Sequence, residues 1–218
     1  MEEYLYSALL DGAAHYDVTL DDSSISRLLA YKDLVAEWNH RMNLVSARDL
    51  DRFISYHILD SLKIASTIDF SIISAFLDFG SGAGLPGIPL AISFSNARAV
   101  LVESRLKRAT FLTHAVDSLP LPNATAIRSR VEDLPVSFND SYDLVVTRAT
   151  VNLADFLRLS DRFISSGGKL LAIKGNDIDD ELSDLEKYAD KNVFHISVTT
   201  PAPLEGVRSG TLVTITKR

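Results

Sequence analysis

The stretch Phe76-Leu77-Asp78-Phe79-Gly80-Ser81-Gly82-Ala83-Gly84-Leu85-Pro86-Gly87 constrains this chain more than any other. An apolar run ends in Asp78 and Gly80, and three glycines then fall at alternate positions. A buried strand that gives way to a glycine loop and a helix start is how α/β proteins hold nucleotide-like ligands. Glycine suits such a turn because a Cβ would keep the backbone from closely approaching a ligand. The dinucleotide fingerprint G-x-G-x-x-G needs Gly or Ala at its sixth position, and Leu85 stands there. No phosphate-binding Lys follows, which excludes a P-loop. The pattern is G-x-G-x-G, with an acid two residues ahead of the first glycine. A carboxylate beside such a turn suits a ligand that carries an ammonium group, and S-adenosylmethionine is one.

Two regimes are visible along the 218 residues. Up to about residue 66, apolar residues recur at spacings of three and four: Leu28, Leu29, Tyr31, Leu34, Val35, Trp38, then Ile54, Ile58, Leu59, Leu62, Ile64. This periodicity predicts helices over about 2–14, 22–42 and 49–66, the second capped by Asp21 or Asp22. From about residue 74, short apolar runs alternate with helical patterns: Ala75–Phe79, Ala99–Val102, Ala124–Ile127, Leu144–Val146, Leu170–Ile173, Val193–Val198 and Leu212–Ile215. The alternation predicts a seven-stranded, mostly parallel α/β sheet with crossover helices. The last two runs are joined by a Pro/Gly-containing loop without a helix, which predicts an antiparallel pair at one edge. The expected division is a helical N-terminal extension, 1–67, and a ligand-binding domain, 68–218.

The balance of charge is −7, with a pI near 5.2. That argues against tight nonspecific binding of nucleic acid. The charge is uneven, however. Residues 1–30 hold Glu2, Glu3, Asp11, Asp17, Asp21 and Asp22 against Arg27, whereas 98–108 hold Arg98, Arg105, Lys107 and Arg108 against Glu103. A local basic patch permits a specific RNA contact. The chain has no cysteine, which excludes disulfides, thiolate metal sites and cysteine nucleophiles and fits a cytoplasmic protein. No stretch approaches the roughly 18–20 apolar residues that span a bilayer. The acidic start, Met1-Glu2-Glu3-Tyr4, lacks a signal-peptide layout. No membrane partner is expected.

Glu103 ends the second predicted strand, 23 residues after Gly80, where an acid accepts hydrogen bonds from ribose hydroxyls in Rossmann-type folds. Arg130-Val131-Glu132-Asp133 follows the third strand. Glu132 either faces an adenine or, with Asp133, simply favours a helix N-terminus; both can hold. The fourth strand, Tyr142–Val146, runs into Thr147-Arg148-Ala149-Thr150, which projects Arg148 beyond the strand ends where ligands of open α/β sheets sit. A guanidinium does not deprotonate, so Arg148 holds an anion or a purine face and is no base. Exocyclic-amine methylases carry an Asp/Asn-Pro-Pro-aromatic motif at this place, which is absent. Pyrimidine carbon-5 methylation needs a cysteine, also absent. Transfer to an exposed lone pair survives, and guanine N7 is such an acceptor. It needs no general base, only alignment and electrostatics. Lys174 closes the fifth strand and either meets RNA phosphate or stays solvated. In the helical half, His57 and Asp60 share a face, which reads most simply as a half-buried histidine held by Asp60. Two potential ligands with no third nearby make no metal site.

Four stretches resemble the RsmG (GidB) family of bacterial guanine-N7 methyltransferases acting on small-subunit ribosomal RNA. They are Trp38-Asn39 through Asn43-Leu44; His57-Ile58-Leu59-Asp60-Ser61-Leu62; Asp78 through Leu90-Ala91; and Arg148-Ala149 with Lys174-Gly175. The resemblance covers roughly residues 28–175. It implies a class I, Rossmann-like methyltransferase fold that uses S-adenosyl-L-methionine. It implies cofactor contacts from Gly80, Leu85, Val131, Glu132 and Arg148, joining Asp78, Gly82, Gly84 and Glu103 from the motif. It implies that His57, Asp60 and Asn43 border the active site with Arg148. The implied target is a guanine in the decoding-region 530 loop of 16S rRNA, within the small ribosomal subunit, with Lys174, Arg105 and Arg208 as RNA contacts. A monomer is expected. Two departures stand out. Leu44-Val45-Ser46 replaces the family's Leu-Thr-Ala, and Gly206-Val207-Arg208-Ser209-Gly210-Thr211 replaces its Glu-Arg-His, retaining only Arg208. The second bears on RNA contacts in that loop. The rival from another class is a noncatalytic module that binds S-adenosylmethionine or RNA during ribosome assembly, and a small-molecule methyltransferase is a second.

Overall fold

Seven apolar runs become seven strands of one sheet in the computed structural model, which describes residues 2–148 and 151–218. They are β1 (Ala75–Phe79), β2 (Arg98–Glu103), β3 (Ala124–Arg128), β4 (Tyr142–Arg148), β5 (Ile164–Lys174), β6 (Phe194–Thr199) and β7 (Thr211–Lys217), in the order β3-β2-β1-β4-β5-β7-β6. Strands β1 to β5 pair in parallel. β7 runs antiparallel to both β5 and β6, so the antiparallel pairing falls at the expected edge, with β6 outermost. Order reverses between β1 and β4, which opens a crevice at their carboxyl ends.

Alternate residues divide between two apolar layers. Leu77, Phe79, Val100, Val102 and Val145 pack against α7 (Leu153–Ser160) and α8 (Asp179–Tyr188). Phe76, Leu101, Leu144 and Val146 pack on the other face, against the N-terminal helices and against α5 (Gly87–Ser93) and α6 (Leu106–Ser118). Both faces of the central strands are covered, which is why those strands read as continuous apolar runs.

The N-terminal segment is helical but less regular than its periodicity predicts. α1 (Glu2–Ala14) and α2 (Asp22–Asn39) form, the latter capped by Asp21, whose carboxylate accepts from the Ser24 amide at 2.7 Å. α2 ends three residues early because Asn39 turns the chain. Its Oδ1 accepts from the amides of Leu44 (2.8 Å) and Val45 (3.1 Å), competing with helical continuation. The third predicted helix divides into α3 (Ala47–Leu50), a π-helix (Ile54–Leu59), α4 (Asp60–Leu62) and a 3-10 turn (Lys63–Ser66). π-Turns are rare and concentrate at functional sites. This one carries His57.

No described helix is long and apolar enough to cross a membrane, and no described cluster of His, Asp or Glu could hold a metal ion.

Candidate active site

A cleft of about 1090 Å³ opens at the carboxyl ends of β1, β2, β3 and β4. Its floor is the glycine turn. Gly80, Gly82 and Gly84 all have positive φ (72°, 58° and 90°), backbone that L-residues rarely adopt. Their reasons differ further. A Cβ on Gly82 would meet only Arg108 Nη1 at 3.7 Å and the Gly80 carbonyl at 3.8 Å, so the turn leaves a hollow there. A Cβ on Gly84 would come within 2.4 Å of Ile88, so that glycine serves packing. Tyr31 of α2 donates to the Ala83 carbonyl at 2.7 Å, which ties the N-terminal helices to the turn.

Asp78 does not reach the cleft. It is fully buried beneath the turn, and its Oδ2 accepts from the Gly87 amide at 3.0 Å, joining the end of β1 to the start of α5. Its Oδ1 has no hydrogen-bond partner among the described residues. Burial pushes its carboxyl up to about 7, against smaller lowering by Ser81 and the Gly87 amide. Glu103 does line the cleft, where it accepts from the amides of Gly82 (3.1 Å) and Arg105 (2.8 Å). Each of its oxygens retains a further lone pair. Val131, Glu132 and Asp133 form a 3-10 turn on the third wall, with Val131 buried and both acids exposed.

Arg148 lies at the end of β4, on the fourth wall. Its Nη1 is 2.9 Å from His57 Nδ1 and 3.5 Å from Asp60 Oδ2. The expected direct hold of His57 by Asp60 is thus corrected, because the Arg148 guanidinium lies between them. Burial first, and Arg148 second, push the imidazole down to about 3. His57 is therefore neutral at pH 7. Its Nδ1 accepts from Arg148, which assigns the proton to Nε2. Nε2 is buried without a hydrogen-bond partner among the described residues, 3.9 Å from Asp49 Oδ2. Asp60 Oδ1 meets the Lys63 ammonium at 2.5 Å, and Lys63 also donates to the Arg208 carbonyl at 3.4 Å. That contact brings the divergent stretch 206–211 against the cluster.

Asn43 is exposed, next to Leu44, which lines the cleft. Lys174, expected to meet RNA phosphate, is instead buried. Its ammonium donates to the Val151 carbonyl and to Glu181, each at 2.6 Å, and Glu181 also accepts from the Leu153 amide. It secures the entry to α7. Arg105 does line the cleft. Ala149, part of the Arg148-Ala149 match, and Thr150 lie outside the described residues. Sequence reasoning missed Lys63 and Arg128 and placed Arg108 only in a basic patch; Arg108 and Arg128 also line the cleft. With Arg105, Arg130 and Arg148 they give its described lining five arginines against Glu103, Glu132 and Asp133. The mouth of an acidic protein is thus locally basic.

The doubly wound sheet, the glycine turn after β1 and the acid closing β2 define a class I, Rossmann-like methyltransferase. Solved structures agree on the fold: an rRNA methylase from Streptococcus thermophilus (TM-score 0.52, 15% identity, 68% of this chain and 90% of that one) and a fibrillarin pre-rRNA processing protein of Methanococcus jannaschii (TM-score 0.52, 15% identity, 66% of each). Residues 24–202 match the profile of the family described as rRNA small subunit methyltransferase G, and this chain belongs to that family. Relatives named ribosomal RNA small subunit methyltransferase G include those of Acetivibrio thermocellus (36% identity, 79% of this chain and 72% of that one) and Nitrosospira multiformis (37%, 96% of each). The protein is an S-adenosylmethionine-dependent methyltransferase of that family. The hollow above Gly82 and the ligand-facing Glu103 fit that methyl donor.

Proposed function

We propose that this protein methylates N7 of one guanine in 16S rRNA, in the decoding-region 530 loop. The observation that carries this reading is the state of the cluster at the end of β4. His57 Nδ1 is taken by Arg148, and Asp60 is buried against Lys63. The described residues at that end of the cleft thus offer no available proton acceptor. An acceptor that must lose a proton, such as an exocyclic amine, would need one. Guanine N7 attacks with a lone pair it already has.

When bound, S-adenosylmethionine supplies a methyl group on a cationic sulfur. Gly80, Gly82 and Leu85 would hold it along the turn, with Gly84 packed against Ile88 and Asp78 bracing the turn from beneath. Glu103 would accept from ribose hydroxyls, and Val131 and Glu132 would meet the adenine. Arg148, fixed between His57 and Asp60, would orient the purine at the methyl group, and Asn43 would border its entry. The 1–67 extension supplies that wall to the 68–218 domain. Arg105 and Arg208 would contact RNA. The protein acts as a cytoplasmic monomer, and its charge of −7 favours the assembling small subunit over bare RNA as substrate.

The test is transfer of labelled methyl to small subunits from cells lacking the modification, followed by nucleoside mass spectrometry. One new 7-methylguanosine is the expected product. Label on any other nucleoside overturns the N7 assignment. Cofactor bound but never transferred favours the noncatalytic assembly factor.

A further inference from the structure

An arrangement beside the cluster plays no part in the reading above. Arg52 donates from Nε (3.2 Å) and Nη2 (2.7 Å) to Asp49 Oδ1. Asp49 is itself fixed, since its other oxygen accepts from Ser46 Oγ at 2.7 Å. The guanidinium carbon lies 3.6 Å from the centroid of the Tyr56 ring, which backs one of its faces. Arg52 is therefore held along one edge and against one face, yet its side chain stays 39% exposed. A surface arginine kept only for charge has no use for such immobilisation, which removes much of its rotamer freedom. Tyr56 neighbours His57 (ring centroids 5.4 Å apart), and Arg208 approaches the same Tyr56 ring at 5.7 Å.

We infer that the exposed face of Arg52, backed by Tyr56, is a stacking surface for an unpaired base of the rRNA substrate. Sequence-specific RNA recognition uses bases splayed onto aromatic rings or guanidinium planes. Asp49 offsets the charge of Arg52, which suits a base face better than a phosphate. Arg208 stands beside the platform to meet the adjoining phosphate. The path from Tyr56 through His57 to Arg148 puts the platform on the Arg148 side of the cleft. The inference rests on the proposed function, with RNA entering from this side.

The test uses small ribosomal subunits lacking the methyl group. Arg52→Ala and Arg52→Lys should each raise the KM for subunits about tenfold, the scale of one lost base stack. Both should leave kcat, S-adenosylmethionine affinity and melting temperature unchanged. Lysine should fail because it keeps the charge without the plane. Tyr56→Leu, which leaves the guanidinium unbacked, should fall between wild type and Arg52→Ala. An unchanged KM in Arg52→Ala, or full rescue by Arg52→Lys, overturns the inference. So does a loss of activity that tracks a fall in melting temperature. If the wild-type protein methylates no subunits, the proposed function has failed, and the variants are compared by direct subunit binding. Weakening of about tenfold then sustains the platform, and equal binding ends it.

Discussion

Asp60 and Lys63 form an ion pair at 2.5 Å in which neither side chain reaches water, with 0% and 2% of their side-chain surface exposed. The pair sits between two parts of the site. Asp60 Oδ2 faces Arg148 at 3.5 Å, and Lys63 faces the Arg208 carbonyl at 3.4 Å. Removing one partner leaves an uncompensated buried charge, which costs about 3–5 kcal/mol. Asp60→Asn and Lys63→Met should each destabilise by about that amount in urea unfolding. The double variant should recover most of the loss while still impairing methyl transfer, because Arg148 loses its carboxylate. A single variant that loses less than about 1 kcal/mol would remove the pair from any structural role.

Asp78 should make stability fall as pH rises. Its folded-state carboxyl is raised from 3.8 to about 7 by burial. Between those values the native state keeps a proton that the unfolded chain has released, so the contribution is fully present below 3.8 and lost as pH climbs through about 7. Asp78→Asn keeps an acceptor for the Gly87 amide and removes the titration. The wild type should lose ground to Asp78→Asn by about 1.4 kcal/mol per pH unit across that window, and no more above it. Differencing the two proteins cancels the other titrating groups, His57 included. A gap constant from pH 4 to 8 would contradict the raised value.

Two glycines of one turn should respond differently to alanine. Gly82→Ala meets strained backbone but open space, so it should cost about 1–2 kcal/mol. Gly84→Ala adds contact with Ile88 at 2.4 Å and should cost about 2–4 kcal/mol. Thermal unfolding without cofactor compares them. Equal losses would mean that strain alone governs the turn.

The activity should carry no histidine inflection. With its imidazole pushed down to about 3, His57 stays neutral throughout the working range. kcat/KM should therefore be flat between about pH 5.5 and 7.5 as far as His57 is concerned. A step near 6.5 that disappears in His57→Gln would show a solvated histidine instead.

Arg148→Ala should lower kcat at least about a hundredfold, the scale for a lost positioning and electrostatic contact. Its fold should survive, since β4 is held by strands on both sides. Wild-type turnover would take Arg148 out of the site.

The sheet was legible because strands buried on both faces leave unbroken apolar runs, and a turn of three positive-φ glycines leaves a spacing little else produces. Glu103 was legible from its distance along the chain. What lay hidden depends on facing. Asp78 stands beside the glycines in sequence, but the pleat turns it under the turn toward α5. Lys174 looked like a strand-end lysine because its partner, Glu181, lies beyond a loop whose path no local pattern specifies. The Arg148 bridge to His57 depends on a π-turn. It widens the helix just where spacings of three and four were being read as one regular face.

β7 is the last of the seven strands to be synthesised, yet it lies inside the sheet, between β5 and β6. Until it arrives, β5 presents an unpaired edge and β6 has no neighbour at all. The N-terminal helices, made before any of these strands, share an apolar layer with Leu212 of β7. The helices therefore wait through the synthesis of six strands for a partner in the seventh. Through that interval the chain's exposed strand edges are open to wrong partners.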